Sequence, residues 1–164
     1  MLKQISYTFG TVPVLQKIMD KYPDRYLKLT QAVEHDDNTA LFDLSGEKSI
    51  FNSPVKLKTV TSNGSDNFSG VLHVDTFKVG LNRRKALLGS MKQVLTDAPA
   101  SMMAGYILKG SGETLTILTV WPNMADIAQW HHSHAGQPLA SFMAKGSENT
   151  YFDETYQPVS VSTN

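Results

Sequence analysis

Apolar positions change their spacing along the chain, and the first half predicts several strands around one helix. Apolar side chains at helical spacing run from Val14 to Tyr22. Thr11 suits the N-cap of this helix, and Pro13 suits its first turn. Alternating or short apolar runs predict strands on either side of it, over residues 2–9, 26–33, 38–44, 49–51 and 55–61.

The second half of the chain has a more regular pattern. Residues 71–79 alternate as a strand that places His73, Asp75 and Phe77 on one face. Asn82 and Asn123 are candidate N-caps of two further helices. Three further strands complete the pattern, over 101–109, 113–121 and 156–161. The order β-α-β-β-α-β predicts an α+β fold of the ferredoxin-like type.

The most polar and turn-prone stretch, residues 62–67, separates the two halves. We therefore expect two units: a strand-rich N-terminal extension with one helix over 1–66, and a ferredoxin-like unit over 67–164.

Composition removes several classes of function. The 164-residue chain has no cysteine, which excludes disulfide scaffolds, thiolate metal sites and thiol nucleophiles. Its formal net charge is zero, so nothing suggests nucleic acid as a partner. No apolar run reaches the roughly 18 residues of a membrane span, and no secretory signal is visible. We expect no membrane partner and a cytoplasmic location.

Two segments of the second half resemble the antibiotic biosynthesis monooxygenase (ABM) superfamily. They are the strand Leu115–Trp121, which ends in tryptophan, and the helical run Ala125–Ser133. Three further segments resemble a two-domain subgroup that contains the signal transduction protein TRAP and haem-degrading monooxygenase B, namely 7–11, 51–54 and 151–159. The resemblance implies a homodimeric α+β barrel in which two ferredoxin-like units pair their sheets, with a ligand cavity between sheet and helices.

Three residues are functionally important in the haem-degrading members. They are an Asn on the first strand, a Trp on a later helix and a His that follows this Trp. The resemblance places the Trp at Trp130 and the Asn at Asp75 or Thr76, whereas the His position is occupied by Ala140. Trp130 and Asp75 are thus the candidate catalytic residues.

Other histidines offer a substitute ligand for haem. If the helix continues past Trp130, His134 shares its face. A neutral imidazole ligates haem iron. We therefore assign His134, His73 and Phe77 as candidate cofactor-binding residues, with haem or another flat aromatic molecule as the ligand.

Three alternatives remain open at this point. A metal could be held by His131 and His134 with Asp126 or Asp75, but nothing in the sequence fixes that geometry, and no metal site is predicted. Many superfamily members oxidise phenols or quinols without a cofactor. In such a reaction Asp75 and His73 would act together as the base, while the pocket stabilises the anion. The third alternative is a non-catalytic, TRAP-like dimer that binds a ligand or a partner and reports on it.

Overall fold

The structure, a computed structural model, describes residues 1–35, 38–144 and 149–159. Four α-helices are α1 (Val12–Lys21), α2 (Leu81–Thr96), α3 (Met124–His132) and α4 (Ala140–Met143), with a 3-10 helix at His134–Leu139. Eight strands are β1 (Gln4–Gly10), β2 (Leu27–Ala32), β3 (Thr39–Asp43), β4 (Val55–Gly64), β5 (Val71–Val79), β6 (Ala104–Lys109), β7 (Thr114–Trp121) and β8 (Asn149–Pro158).

Hydrogen bonding between strands closes into a ring within one chain. The order is β1-β3-β2-β8-β5-β7-β6-β4, and β4 returns to β1. The α+β class and the β-α-β-β-α-β order of the second half agree with the sequence-based prediction. The N-terminal strands supply the second half of the barrel, so the ring closes without the expected pairing of sheets between two subunits. Homodimerisation stays a prediction.

The two halves of the chain meet at two strand pairs, β2 with β8 and β4 with β6. The polar stretch proposed as a boundary includes the end of β4 and leads to β5. The division into units over 1–66 and 67–164 stays a prediction.

Local sequence signals account for the N-termini of two helices. Thr11 Oγ1 accepts a hydrogen bond from Val14 N, and Asn123 Oδ1 accepts one from Asp126 N, so both predicted N-caps are confirmed. The N-cap predicted at Asn82 is wrong, because helix α2 begins one residue earlier and has Gly80 as its N-cap.

Two strand predictions need correction. Residues 49–51 form no strand, because Ser49 Oγ accepts the Phe51 N–H and Phe51 packs against the α1 side of the barrel. The final strand begins at Asn149 rather than Tyr156, since it pairs with the whole of β5. Three positions of the predicted turn and last strand, Asp36, Asp37 and Val161, lie outside the described residues.

The barrel has an aromatic interior. Tyr7 stacks on Phe42 with centroids 4.7 Å apart, and Tyr156 meets Phe42 edge-on at 5.2 Å. Near the start of β2, Lys28 Nζ donates to the carbonyls of Phe68 and Gly70. No helix among the described residues is both long and apolar enough to cross a membrane.

Strand alternation gives β5 two different faces. Leu72 and Val74 point into the barrel, while Phe77 joins the outer core beneath the helices. His73 and Asp75 have the same parity as Phe77, so they also lie on the helix-covered side. This placement agrees with the face predicted from the sequence.

Candidate functional site

Asp75 is the centre of a cluster of polar side chains beneath α3. It has no exposed surface. Its Oδ1 accepts a hydrogen bond from Tyr151 Oη at 2.5 Å and lies 3.3 Å from His73 Nε2. Its Oδ2 lies 3.8 Å from His131 Nε2. The carboxylate is thus held between two imidazoles and a phenol.

Strand register explains the partners from β8. Asp75 pairs with Asp153 and His73 pairs with Thr155 across β5 and β8. The side chains of such neighbours lie on the same face of the sheet. Thr155 Oγ1 therefore lies 2.8 Å from His73 Nδ1, and Asp153 Oδ2 lies 3.5 Å from His73 Nε2.

Charge and burial oppose each other in this cluster. Burial of Asp75 favours its neutral form, but the charge of His73 and the nearby imidazole of His131 outweigh it. The pKa of Asp75 is therefore held well below its usual range. Burial likewise disfavours charge on His73, yet the carboxylates of Asp75 and Asp153 raise the pKa of that imidazole. The cluster thus favours the ionised form of the Asp75 carboxylate.

His131 comes from the last turn of α3. Its ring meets His73 edge-on at 4.9 Å and stacks on Trp130 at 5.1 Å. Its side chain is 24% exposed. His131 therefore joins the buried carboxylate to the surface.

The end of α3 is fixed by close backbone contacts. Ser133 is extended, and its N and Oγ both donate to Trp130 O. Gly136 lies so close to the same carbonyl that a Cβ would overlap it. These contacts hold Trp130 and His131 against the sheet.

Trp130 lies in the outer core rather than along an open cleft. It is buried and lies 5.2 Å from Trp121, and its indole Nε1 has no hydrogen-bond partner among the described residues. The space between sheet and helices is filled here by Phe77, Met91, Trp130 and Phe142.

Haem does not fit this arrangement in the manner of the haem-degrading proteins. Core side chains pack against one another there, and Ala140, where the resemblance expects a histidine, has no ligating group. Phe77, a candidate for contact with a cofactor, is fully buried against Tyr151 at 4.9 Å.

His134 does not share a helical face with Trp130, so that expectation is wrong. Helix α3 ends at His132 because Ser133 is extended, and His134 starts the separate 3-10 helix with its side chain exposed. No hydrogen bond, ion pair or ring contact between described residues joins His134 to His73. His132 is exposed as well.

The structure brings together a different metal-binding set from the one considered in the sequence. Ligand atoms of His73, Asp75 and His131 all lie within 4.8 Å of one another. Asp126 lies at the other end of α3. Alternation along β5 predicts that His73 and Asp75 share a face. Their contact with His131 cannot be predicted from spacing, because it depends on how α3 crosses the sheet.

The structure also has a cavity of about 900 Å³. Its lining includes Tyr7, Thr76, Thr116, Phe152 and Glu154. Phe152 is 60% exposed at its mouth. A pocket of this size accommodates small organic ligands.

Comparison with known proteins supports the fold. Neither a protein family model nor a curated protein sequence matches the chain. A monooxygenase-like protein from Listeria innocua has a TM-score of 0.80 at 17% identity, over 98% of this chain and 96% of that one. A major regulator of staphylococcal pathogenesis has a TM-score of 0.79 at 15% identity, over 96% and 100%. The haem-degrading enzyme of Listeria monocytogenes has a TM-score of 0.75 at 15% identity, over 94% and 99%.

These neighbours confirm the structural resemblance to ABM-like monooxygenase proteins, to a pathogenesis regulator and to a haem-degrading enzyme. At such low identity they establish the fold that this chain shares with them.

Proposed function

We propose that this protein is an ABM-type oxygenase whose reaction centre is the cluster of His73, Asp75 and His131. The observation that carries the proposal is a fully buried carboxylate set between two imidazoles. It lies on the helix-covered face of β5, where the family resemblance expects functional residues. Buried ionised groups of this kind are concentrated at functional sites.

A hydroxylated aromatic molecule is the substrate class that suits the cluster. His131 is the member that a substrate reaches from solvent, because its side chain is partly exposed. Its Nε2 is turned towards Asp75, which leaves Nδ1 to donate a hydrogen bond to a phenolate oxygen. A fixed donor of this kind stabilises negative charge that develops during reaction.

The reaction needs no separate reductant. An activated CH₂ group beside a phenol ring takes one O₂, loses two C–H bonds and becomes a ketone, with one water released. The substrate supplies all the electrons, and one oxygen atom enters it. Asp75 and His73 act here as positioning residues, because their contacts with the His131 ring fix its orientation.

Oxygen uptake tests this proposal. The full chain is assayed with a panel of anthrones, naphthols and hydroquinones in an oxygen electrode, beside His131→Ala. His132→Ala is the matched control, because it removes a neighbouring exposed histidine outside the cluster. We expect uptake that falls at least tenfold in His131→Ala and is unchanged in His132→Ala. Equal uptake in both variants, or none in the wild type, contradicts the proposal.

Haem enters the proposal only as a competing substrate. The filled outer core and Ala140 argue against ligation in the family manner. A haem titration followed by ascorbate under air decides the matter. A saturating Soret shift at one haem per chain that then decays supports haem degradation instead of oxidation of a phenol.

A non-catalytic, ligand-binding role is the second candidate, and the barrel cavity favours it. The apolar fluorophore N-phenylnaphthylamine reports occupancy of that cavity. Thr116→Trp places a large ring among its lining residues, whereas Val60→Trp adds the same ring at an exposed strand position that does not line this cavity. Fluorescence that Thr116→Trp abolishes and Val60→Trp leaves unchanged supports this role.

The expected homodimer and cytoplasmic location belong to the same proposal. Light scattering behind size exclusion gives the mass in solution, and twice the 18.1 kDa chain mass supports the dimer.

A further inference from the structure

We propose that His73, Asp75 and His131 form a binding site for one divalent transition-metal ion. The site lies between β5 and the last turn of α3, and its three side chains come from two distant parts of the sequence. Its metal would serve the oxygenase proposed above, and only this role, not the binding itself, rests on that proposed function.

The donor set has the right chemistry for such an ion. It combines two imidazole nitrogens with one carboxylate, and the ligand atoms all lie within 4.8 Å of one another. Imidazole suits iron, cobalt, copper and zinc, whereas calcium and magnesium prefer sites built from oxygen alone. Two histidines and one carboxylate are also the ligands of many non-haem Fe(II) oxygenases, which keep other positions open.

Two buried atoms in the cluster lack hydrogen-bond partners. Asp75 Oδ2 and His131 Nε2 are both inaccessible, and neither makes a hydrogen bond to another described residue. They face each other at 3.8 Å. A shared proton would draw them to about 2.8 Å. A metal ion with bonds of about 2.1 Å to each of them bridges this distance without movement.

Two further side chains of the cluster, Thr155 and Tyr151, orient the proposed ligands. Thr155 contacts His73 Nδ1, which directs His73 Nε2 towards the carboxylate, and Tyr151 donates to Asp75 Oδ1. Metal-bound histidines and carboxylates are typically oriented by such partners.

A simple ion pair does not account for the whole arrangement. The contact between His73 and Asp75 explains the positions of His73 Nε2 and Asp75 Oδ1. It leaves Asp75 Oδ2 and His131 Nε2 unpaired at the centre of the cluster. An unpaired buried acceptor lowers the stability of the folded state. A metal ion removes that cost at both atoms.

Cobalt(II) is the probe for the test, because its absorption bands report the ligand geometry. The full chain is treated with a chelator, dialysed and titrated with Co²⁺ by calorimetry and absorption spectroscopy. We expect saturation at one Co²⁺ per chain. His131→Ala and Asp75→Asn should weaken binding by at least 100-fold, and His132→Ala and His134→Ala should leave it unchanged.

Two features keep the test decisive. Asp75→Asn alters a fully buried group and can lower stability. His131 is partly exposed, so we expect His131→Ala to keep the circular dichroism spectrum of the wild type. Saturating Co²⁺ should also raise the Tm of the wild type and not that of His131→Ala. Absence of saturable binding overturns the site, as does binding that depends on His132 or His134 instead.

The metal site and the proposed function fail in different ways. Stoichiometric Co²⁺ binding without oxygen uptake for any tested metal retains the site and contradicts the oxygenase. Full oxygen uptake by protein shown to contain no metal retains the oxygenase and overturns the metal's role in it, whereas the binding site itself is overturned by the absence of saturable Co²⁺ binding.

Discussion

Tyr151 Oη lies 2.5 Å from Asp75 Oδ1 and so connects β8 to β5 on the helix-covered face of the barrel. Tyr151→Phe keeps the ring against Phe77 and removes only this donor. If Asp75 is a metal ligand, loss of the donor should lower Co²⁺ affinity by about 10–100-fold. Titration with Co²⁺ measures the change. Tyr26→Phe, at an exposed tyrosine, is the control and should bind as the wild type does.

Two glycines should respond in opposite ways to alanine. At Gly70 a Cβ would overlap the backbone carbonyl of Trp121, whereas at Gly89, inside α2, it meets nothing within 4 Å. Gly70→Ala should lower the free energy of unfolding by about 2–3 kcal/mol through overpacking. Gly89→Ala should raise it by about 0.5–1 kcal/mol, because alanine is the better helix former. Urea denaturation measures both, and the same sign for both variants would refute the packing described here.

Arg25 neutralises a buried carboxylate near the end of β3. Its Nη1 lies 2.9 Å from Asp43 Oδ2, and Asp43 is only 1% exposed. Arg25→Met leaves that charge unpaired, and we expect a loss of about 3 kcal/mol in unfolding free energy.

Glu47 provides the internal comparison for Arg25. It also pairs with Arg25, at 3.1 Å, but its side chain is 66% exposed. Glu47→Gln should change stability by less than about 1 kcal/mol, as is usual for exposed ion pairs. Chemical denaturation of both variants tests the difference, and a similar loss in each would contradict it.

Tyr7 should make the protein sensitive to alkali. Burial in the barrel raises the pKa of its phenol from 10.0 to about 12. Above pH 10 the unfolded chain loses this proton while the folded chain keeps it, so the free energy of unfolding falls as pH rises. The contribution is fully present below pH 10 and decreases by about 1.4 kcal/mol per pH unit up to about pH 12.

Comparison with Tyr7→Phe isolates this effect from the other tyrosines. Between pH 9 and pH 11 the free energy of unfolding of the wild type should fall relative to that of Tyr7→Phe. Denaturation at both pH values measures it, and a difference independent of pH would mean that Tyr7 ionises equally in both states.

Local patterns predicted the elements of this fold better than their assembly. The N-caps at Thr11 and Asn123 and the two faces of β5 follow from rules that act over a few residues. Closure of the strand ring within one chain depends on the pairing of β2 with β8 and of β4 with β6. Residues so far apart in the sequence leave no periodic signal of that pairing.

The candidate site shows the same limit. The placement of His73 beside Asp75 was predictable from strand alternation, and Trp130 was identified through resemblance. A continuous helix would place His134 on the face of Trp130, yet Ser133 ends the helix, and His131 lies beside the carboxylate instead. The roles of Tyr151, Asp153 and Thr155 depend on the register between β5 and β8, which hydrophobic alternation alone did not define.

The position of β8 in the ring has a consequence for synthesis. This strand is made after the other seven, and it fills the gap between β2 and β5. Until it emerges from the ribosome, both neighbours are open edges able to pair with other chains. Productive folding therefore depends on the final strand arriving before a neighbouring nascent chain does, and slowed translation near residue 149 should increase aggregation.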